Sequence, residues 1–214
     1  MIEYIWRING FDVFYTNETN GGGDYFAIEY IDLVKEWYVK VDSILEWCAG
    51  PGFIGYGMFA NNLCNKISFN DKFKSAIDQL EKTKLNSKNP DDIKIYNGGS
   101  LSTIPETEKF DLIVGNPPHW KDIQSAETSL NLQFKSFKHV NDILVDTDWK
   151  SHTLFYQIAK KLLSDKGKIV LQENLKGSTP KTFERMINDS GLKILSYADS
   201  KMYNDIYYIE VSHK

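Results

Sequence analysis

Residues 46–55 read EWCAGPGFIG and join a short apolar run to a helical segment through a loop of small residues. The run before the loop, residues 43–47, has the length and composition of a buried strand, and residues 53–62 are predicted to form a helix. A strand, a small-residue turn and a helix in this order let the backbone come close to a ligand at one edge of a sheet. The stretch therefore predicts an α/β fold with a ligand site at this loop.

The same alternation of strands and helices continues along the chain. Strands are predicted at residues 43–47, 66–69, 93–96, 111–114, 168–172, 192–197 and 206–211, and helices at 53–62, 73–84, 151–163 and 182–188, with Lys166-Gly167 as the stop after the third helix. Strands that alternate with helices form parallel sheets with right-handed crossovers. The last two strands have no helix between them, so they are predicted to pair antiparallel.

The N-terminal residues carry a different pattern. Asn9-Gly10 separates two apolar runs at 3–8 and 11–15, which is the strongest two-residue hairpin signal. A helix is predicted over residues 25–39 from its apolar spacing. We expect residues 1–40 to form a hairpin and helix packed on a core of residues 41–214, in a single domain.

The composition narrows the class of protein. The chain has 214 residues, 42% of them hydrophobic, and a formal net charge of -4, so no global basic field indicates a nucleic-acid partner. Two cysteines and four dispersed histidines form no disulfide framework or metal-ligand motif, and no metal is predicted. Neither a signal peptide nor a run of 18 apolar residues occurs. A cytoplasmic protein without a membrane segment is expected.

A second motif ends the fourth predicted strand of the core. Residues 111–120 read DLIVGNPPHW, so the strand runs into Asn116-Pro117-Pro118-His119. Two prolines fix φ and remove two N–H donors, which leaves stiff carbonyls without a ladder or helix to join. Beside the Asn116 amide they form an acceptor surface suited to a planar amino group. A rigid strand-to-loop turn without a chemical role is the alternative.

The first loop also fits a different class of enzyme. Gly50, Gly52 and Gly55 match G-x-G-x-x-G, and Asp71 stands 21 residues after Gly50, as in a dinucleotide-binding fingerprint. An NAD-dependent oxidoreductase is therefore an alternative. Three features disfavour it: a hairpin and helix precede the loop, Pro51 removes an N–H that would face a pyrophosphate, and the last strand is antiparallel.

Taken together, the two motifs resemble those of class I S-adenosylmethionine-dependent methyltransferases. The resemblance covers about residues 24–212 and is to the subgroup with an Asn-Pro-Pro-aromatic motif, which methylates amino or amide nitrogens and includes glutamine and N6-adenine methyltransferases. It implies a three-layer α/β/α Rossmann-like methyltransferase fold, with a mostly parallel seven-stranded sheet and an antiparallel last strand. The methyltransferase domain would occupy residues 41–214, with the N-terminal hairpin and helix added.

The resemblance also implies which residues bind S-adenosylmethionine. The first loop would hold the methionine part of the cofactor through Glu46, Cys48, Ala49, Gly50 and Gly52. Asp71 would accept hydrogen bonds from the ribose hydroxyls, and Asn97 or Ser100 would lie near the adenine amino group. The expected acid is missing at that last position. Cys48 stands where the family often has glycine, and we expect it to pack rather than react.

The second motif would hold the methyl acceptor. The Asn116 side-chain oxygen, which would also border the cofactor, and the Pro117 carbonyl would accept hydrogen bonds from the acceptor amino group. Pro118, His119 and Trp120 would contact the substrate. The family has Tyr, Phe or Trp where this chain has His119, which can stack, hydrogen-bond or accept the released proton. Trp120 is the other candidate for the stacking ring.

Three further segments are predicted to border the pocket. Residues 121–150 are long for a connector and are predicted to form a substrate lid, residues 22–26 to close over the cofactor, and residues 172–174 to reach the pocket edge or form a polar turn. The lid aromatics are Phe134, Phe137, His139 and Trp149.

The acceptor is expected to be a small molecule or a protein, glutamine included, with RNA as a further candidate. DNA is not expected, because DNA methyltransferases usually add a target-recognition domain. A catalytically inactive cofactor-binding module is the second alternative to an active methyltransferase, and His119 is the feature in its favour.

Overall fold

The computed structural model describes residues 2–19, 23–38, 40–131 and 140–214. Strands β1 (Glu3–Ile8) and β2 (Phe11–Thr16) pair antiparallel as the predicted hairpin. Asn9 and Gly10 form its turn with φ of 47° and 76°, the left-handed conformations that a two-residue hairpin turn of this kind requires. Helix α1 (Gly23–Trp37) follows.

The rest of the chain alternates strands and helices, as predicted. Its elements are β3 (Ser43–Trp47), α2 (Phe53–Ala60), β4 (Lys66–Asp71), α3 (Lys74–Leu85), β5 (Ile93–Asn97), β6 (Phe110–Gly115), α4 (Ile123–Leu130), α5 (Val140–Leu144), α6 (Lys150–Leu162), β7 (Leu163–Asn174), α7 (Pro180–Asp189), β8 (Leu192–Asp199) and β9 (Ile206–His213).

Seven of these strands form one mixed sheet in the order β5-β4-β3-β6-β7-β9-β8. All neighbours pair parallel except β9, which is antiparallel to both β7 and β8. The predicted fold class is confirmed. The strand order reverses between β3 and β6, and Trp47 at the end of β3 pairs with Gly115 at the end of β6. The loops that follow these two strands therefore emerge side by side.

Helices cover both faces of the sheet because successive strand residues point to opposite sides. Ile44 and Leu112 belong to one buried cluster, which also contains Val13 of the hairpin and Tyr30 of α1. Leu45, by contrast, belongs to the second cluster, which includes residues of α6 and α7. The hairpin and α1 thus share one hydrophobic cluster with the sheet.

One boundary prediction was wrong. Lys166 and Gly167 do not stop helix α6, because the helix already ends at Leu162 and both residues lie inside β7. A Cβ on Gly167 would lie 2.8 Å from the Phe110 carbonyl oxygen, where the register of β6 and β7 shifts. Glycine is needed here for close backbone approach within a sheet.

The three predicted border segments are described in part. Phe134, Phe137, His139 and Gly22 lie outside the described residues, whereas α4 and α5 occupy parts of 121–150. Phe26 packs on Tyr203 with ring centroids 4.9 Å apart. No helix in the described part of the chain has the length and hydropathy that crossing a bilayer requires.

Candidate active site

The loop after β3 is a tight chain reversal held by left-handed residues. Cys48, Gly50 and Gly52 have φ of 54°, 53° and 84°. The Ala49 N–H donates to the Asn70 carbonyl of β4 at 3.2 Å, and the Gly52 N–H donates to the Ala49 carbonyl at 2.8 Å. Burial raises the pKa of the Cys48 thiol well above its ordinary value, which disfavours the reactive thiolate.

Two glycines of this loop differ in their surroundings. A Cβ on Gly52 would lie 2.7 Å from side-chain atoms of Leu80 and Tyr56 and 2.9 Å from Phe69. Among the described residues, a Cβ on Gly50 would meet only the Thr19 carbonyl oxygen, at 3.7 Å. Core packing therefore requires Gly52, whereas the described residues leave space beside Gly50.

Gly52→Ala is expected to lower the free energy of unfolding by about 1–3 kcal/mol, because the methyl group overpacks the core. Urea unfolding measures the change. Gly10→Ala is the matched control, since Gly10 also has a positive φ of 76° but no atom of the described residues within 4 Å of its Cβ position. Equal losses in the two variants would show that backbone conformation, and not the packing of Gly52, sets the cost.

Two carboxylates border the loop. Asp71 fixes it directly, since its Oδ2 accepts the Gly50 N–H at 2.8 Å and its Oδ1 accepts the Phe73 N–H at 2.8 Å. Glu46 is almost completely buried and its Oε2 accepts the Gly55 N–H at 2.7 Å. Burial, assisted by the negative charge of Asp71 and opposed by the Gly55 hydrogen bond, raises the pKa of Glu46 to about 8. A cationic ligand group nearby would stabilise the ionised form of Glu46.

The two candidates for the adenine contact follow β5. Asn97 pairs with Asp71 across β4 and β5 and is exposed. Ser100 accepts the Ser102 N–H through its hydroxyl at 3.3 Å and caps a short 3-10 turn. The Asn70 amide, which sequence reasoning missed, donates to the carbonyls of Tyr96 and Gly98 and ties this loop to β4. The structure thus places Asn97 beside Asp71, and the Ser100 carbonyl oxygen 3.5 Å from the amide nitrogen of the neighbouring Asn70.

The turn after β6 carries an unsatisfied acceptor. Asn116 Oδ1 is buried and has no hydrogen-bond partner among the described residues. Such an atom costs about 1–3 kcal/mol, so a bound N–H donor would complete the arrangement. Tyr30 of α1, a residue that sequence reasoning did not single out, fixes the strand end: its hydroxyl accepts the Gly115 N–H at 3.3 Å and donates to the Val170 carbonyl.

The residues after Asn116 are covered by α4, α5 and the loop after β7. Pro117 is buried, and Pro118 and His119 are partly buried. Trp120 is 2% exposed, packs with apolar residues of α4 and α5, and meets the His119 ring edge-on at 5.7 Å. A Cβ on Gly177 would overlap the His119 carbonyl oxygen, so the loop after β7 lies directly on this turn.

Behind His119 lies a chain of buried ionisable groups, of which the sequence placed Glu173 at the pocket edge or in a polar turn and gave no sign of Asp146 or His152. His119 Nδ1 is 3.3 Å from Glu173 Oε2, Glu173 Oε1 is 3.0 Å from His152 Nε2, and His152 Nδ1 is 2.7 Å from Asp146 Oδ2. Glu173 and His152 are completely buried. Burial disfavours a charged imidazole, but the negative charge of Glu173 and hydrogen bonds to both carboxylates outweigh it and raise the pKa of His152 to about 9.

The pKa values of the two carboxyl groups that flank His152 shift in the opposite direction. Burial favours their neutral forms, but the charge and hydrogen bonds of His152 prevail and lower the pKa of both Glu173 and Asp146. The groups are linked in series: within the described residues, no three His, Cys, Asp or Glu side chains are placed to hold one metal ion. Asp146, His152 and Glu173 therefore form a row of alternating charges next to His119.

Residues 39–203, which include both loops and all four of these groups, match the model of the Eco57I restriction-modification methylase family. The chain belongs to this family. No curated protein matches the chain.

Several solved structures share the fold of this family member. The ribosomal protein L11 methylase from Lactobacillus delbrueckii subsp. bulgaricus is 14% identical, with a TM-score of 0.59 over 90% of this chain and 80% of the other. The glycopeptide N-methyltransferase MtfA in complex with S-adenosyl-L-methionine is 11% identical, with a TM-score of 0.62 over 88% and 94%. A methyltransferase from Clostridium acetobutylicum ATCC 824 is 11% identical, with a TM-score of 0.58 over 87% and 92%. By family and fold, the chain is a class I methyltransferase.

Proposed function

We propose that this chain transfers a methyl group from S-adenosylmethionine to a planar amino or amide nitrogen. The observation that carries the proposal is the buried, unpartnered Oδ1 of Asn116. It lies at the end of β6, beside the loop after β3, because Gly115 and Trp47 are paired in the sheet. This position is the topological switch point at which open α/β sheets bind their ligands.

The residues around the first loop fit S-adenosylmethionine. Within the part of the chain that the structure describes, Gly50 has room for a ligand against its backbone. Glu46 offers a carboxyl group that a cation would ionise, and Asp71 offers lone pairs to hydroxyl groups. When bound, the cofactor supplies an electrophilic methyl group on a sulfonium. Solved relatives of this fold include complexes with S-adenosyl-L-methionine, S-adenosyl-L-homocysteine and sinefungin, which supports the assignment.

The second loop would prepare the acceptor. A conjugated amino group has a delocalised and weak lone pair. Hydrogen bonds from its two N–H groups to the Asn116 Oδ1 and the Pro117 carbonyl would favour tetrahedral nitrogen. They would also stabilise the positive charge that develops as the new bond forms, and such charge stabilisation accelerates the reaction. Positioning and hydrogen bonding are thus the contribution of this chain.

The acceptor class is tested by a tritium-transfer screen. The candidate methyl acceptors are supplied as separate pools of metabolites, proteins and RNA, which the sequence favours. A DNA pool is included because the family is named for restriction-modification. Two of the solved structures with this fold are those of a glycopeptide N-methyltransferase and a ribosomal protein methylase. We expect label in one pool. Absence of transfer to every pool, with cofactor bound, would favour an inactive cofactor-binding module.

Calorimetric titration of the purified protein tests the cofactor. We expect S-adenosylmethionine to bind and NAD not to bind, since the antiparallel β9 between β7 and β8 departs from the 3-2-1-4-5-6 order of dinucleotide-binding domains.

Asp71→Asn is expected to weaken S-adenosylmethionine binding about 10–100-fold, because hydrogen bonds to a charged group are lost. Asp91→Asn, at an exposed site, is the control. Tight NAD binding without S-adenosylmethionine binding would contradict the proposal.

A further inference from the structure

We propose that Asp146, His152 and Glu173 form a buried chain that positions His119, so that its Nε2 accepts the proton released by the methylated nitrogen. This inference rests on the proposed function and deepens it: it assigns positioning roles to three residues outside both loops. The four groups come from separate parts of the fold, namely the loop after β6, the segment before α6, α6 itself and β7.

Hydrogen-bond geometry fixes the protonation states along the chain. Asp146 accepts the backbone N–H groups of Ser151 and His152 as well as the His152 ring, at 2.8, 2.9 and 2.7 Å. Each ring nitrogen of His152 faces a carboxylate oxygen, which can only accept, so both nitrogens carry hydrogen. His152 is therefore an imidazolium between two carboxylates.

The same reasoning sets the tautomer of His119. Glu173 uses Oε1 for His152 and Oε2 for His119, so Nδ1 of His119 is the donor in their hydrogen bond. A neutral imidazole that donates from Nδ1 carries its lone pair on Nε2. No described residue hydrogen-bonds to that nitrogen, and the side chain is 12% exposed. The hydrogen bond from Nδ1 to Glu173 thus leaves Nε2 of His119 available as a base.

Among the described residues, only His119 and His152 hydrogen-bond to the Glu173 side chain. The other described groups whose titration Glu173 influences have pKa values that burial raises: Tyr30, Cys48, Tyr156 and Tyr207. His152 itself is enclosed by rings, stacked on Phe183 at 4.9 Å and met edge-on by Trp47 and Trp149 at 5.3 Å. Its charge therefore acts on the two carboxylates and not on solvent.

The proton has to leave for the product to become neutral. As the acceptor nitrogen attacks the methyl carbon, the N–C bond forms and the C–S bond breaks, with its electron pair remaining on sulfur. The nitrogen then carries one proton too many. His119 Nε2 takes this proton to give a neutral methylated product and an imidazolium stabilised by Glu173, and the proton passes from His119 to solvent.

Burying three charges is a costly way to hold a loop, since apolar residues of similar volume often stabilise as well or better. Structural support alone would require neither an ionised Glu173 nor a defined His119 tautomer. The spectroscopic signature of the imidazole nitrogens distinguishes these two roles without any ligand.

The test is nitrogen NMR of histidine-labelled protein, free of cofactor and acceptor. We expect His152 to be doubly protonated at pH 7.5, roughly one unit above an unperturbed histidine. We expect neutral His119 to be the Nδ1–H tautomer. In Glu173→Gln, the amide oxygen accepts from His152, so the amide NH₂ donates to His119 Nδ1 and moves the His119 proton to Nε2. A neutral His152, or an Nε2–H tautomer of His119 in the unsubstituted protein, would overturn the proposal.

Tritium transfer into the same four pools gives the second readout. His119→Phe keeps a ring for stacking but has no base, and its rate is expected to fall on the order of 10²-fold and to lose the pH dependence attributable to proton release. Glu173→Gln should lower the rate with unchanged S-adenosylmethionine affinity. An unaltered rate and pH profile in His119→Phe would overturn the inference and leave nitrogen methylation standing. The amino-group mechanism of the proposed function is tested separately, by Asn116→Ala, and fails if transfer is independent of Asn116.

Discussion

Asn116→Ala is expected to reduce methyl transfer on the order of 10²–10³-fold, with nearly unchanged affinity for S-adenosylmethionine. The loss corresponds to one preorganised polar partner of the transition state. Asn116 Oδ1 has no hydrogen-bond partner among the described residues, so its acceptor capacity is left for the amino group of the substrate. The cofactor contacts proposed for Glu46, Gly50 and Asp71 lie on β3, on the loop after it and at the end of β4. Tritium transfer and calorimetry on the same protein preparation measure the two quantities.

The stability of Asn116→Ala provides an internal check. Removal of an unsatisfied buried acceptor is expected to leave the free energy of unfolding unchanged or to raise it, because Oδ1 has no hydrogen bond to any described residue. Reduced activity in a protein of equal or greater stability would then be a catalytic effect. Asn188→Ala, at an exposed position of α7, is the matched control and should change neither activity nor cofactor binding. Retained activity in Asn116→Ala would contradict the amino-group mechanism.

The fold was predictable because its signals are local. Asn9-Gly10 predicted the hairpin, and the apolar runs predicted β3 to β6. The absence of a helix before the last strand indicated that β9 runs antiparallel. The two loops that end β3 and β6 were also visible as turn-forming residues after apolar runs. Parallel strands end at one edge of a sheet, so the adjacency of these loops followed from strand order.

The buried chain behind His119 was not predictable in the same way. Asp146, His152 and Glu173 are widely separated in sequence, and residues 172–174 read equally well as a polar turn. Only the pairing of Glu173 with Tyr207 of β9 shows that it lies within a buried strand. Gly167 was misassigned for a related reason, since its close approach to Phe110 is a tertiary constraint with no local signature.

His152→Leu is expected to lower the free energy of unfolding by about 3–5 kcal/mol at pH 6.5, the usual cost of removing one partner from a buried ionic arrangement. The leucine fills similar volume against Phe183 and Trp149, but it leaves Asp146 and Glu173 buried without their shared cation. Urea unfolding of both proteins measures the difference. His213→Leu is the control, since His213 forms no ion pair with any described residue and lies at the end of β9.

The difference in stability between the unsubstituted protein and His152→Leu is expected to shrink as the pH rises from 6.5 to 9. A histidine whose pKa rises from 6.5 to about 9 on folding stabilises the folded state fully below pH 6.5 and loses this contribution as the pH rises through 9. Below pH 4.5 the difference should shrink again, because Glu173 and Asp146 have lowered pKa values and lose their contribution as they are protonated. The slope of either protein alone is not diagnostic, since buried Glu46, with a pKa of about 8, also makes stability fall as the pH rises. A difference that stayed constant from pH 5 to 9 would mean that His152 is neutral in the folded protein, and the alternating charges behind His119 would then not exist.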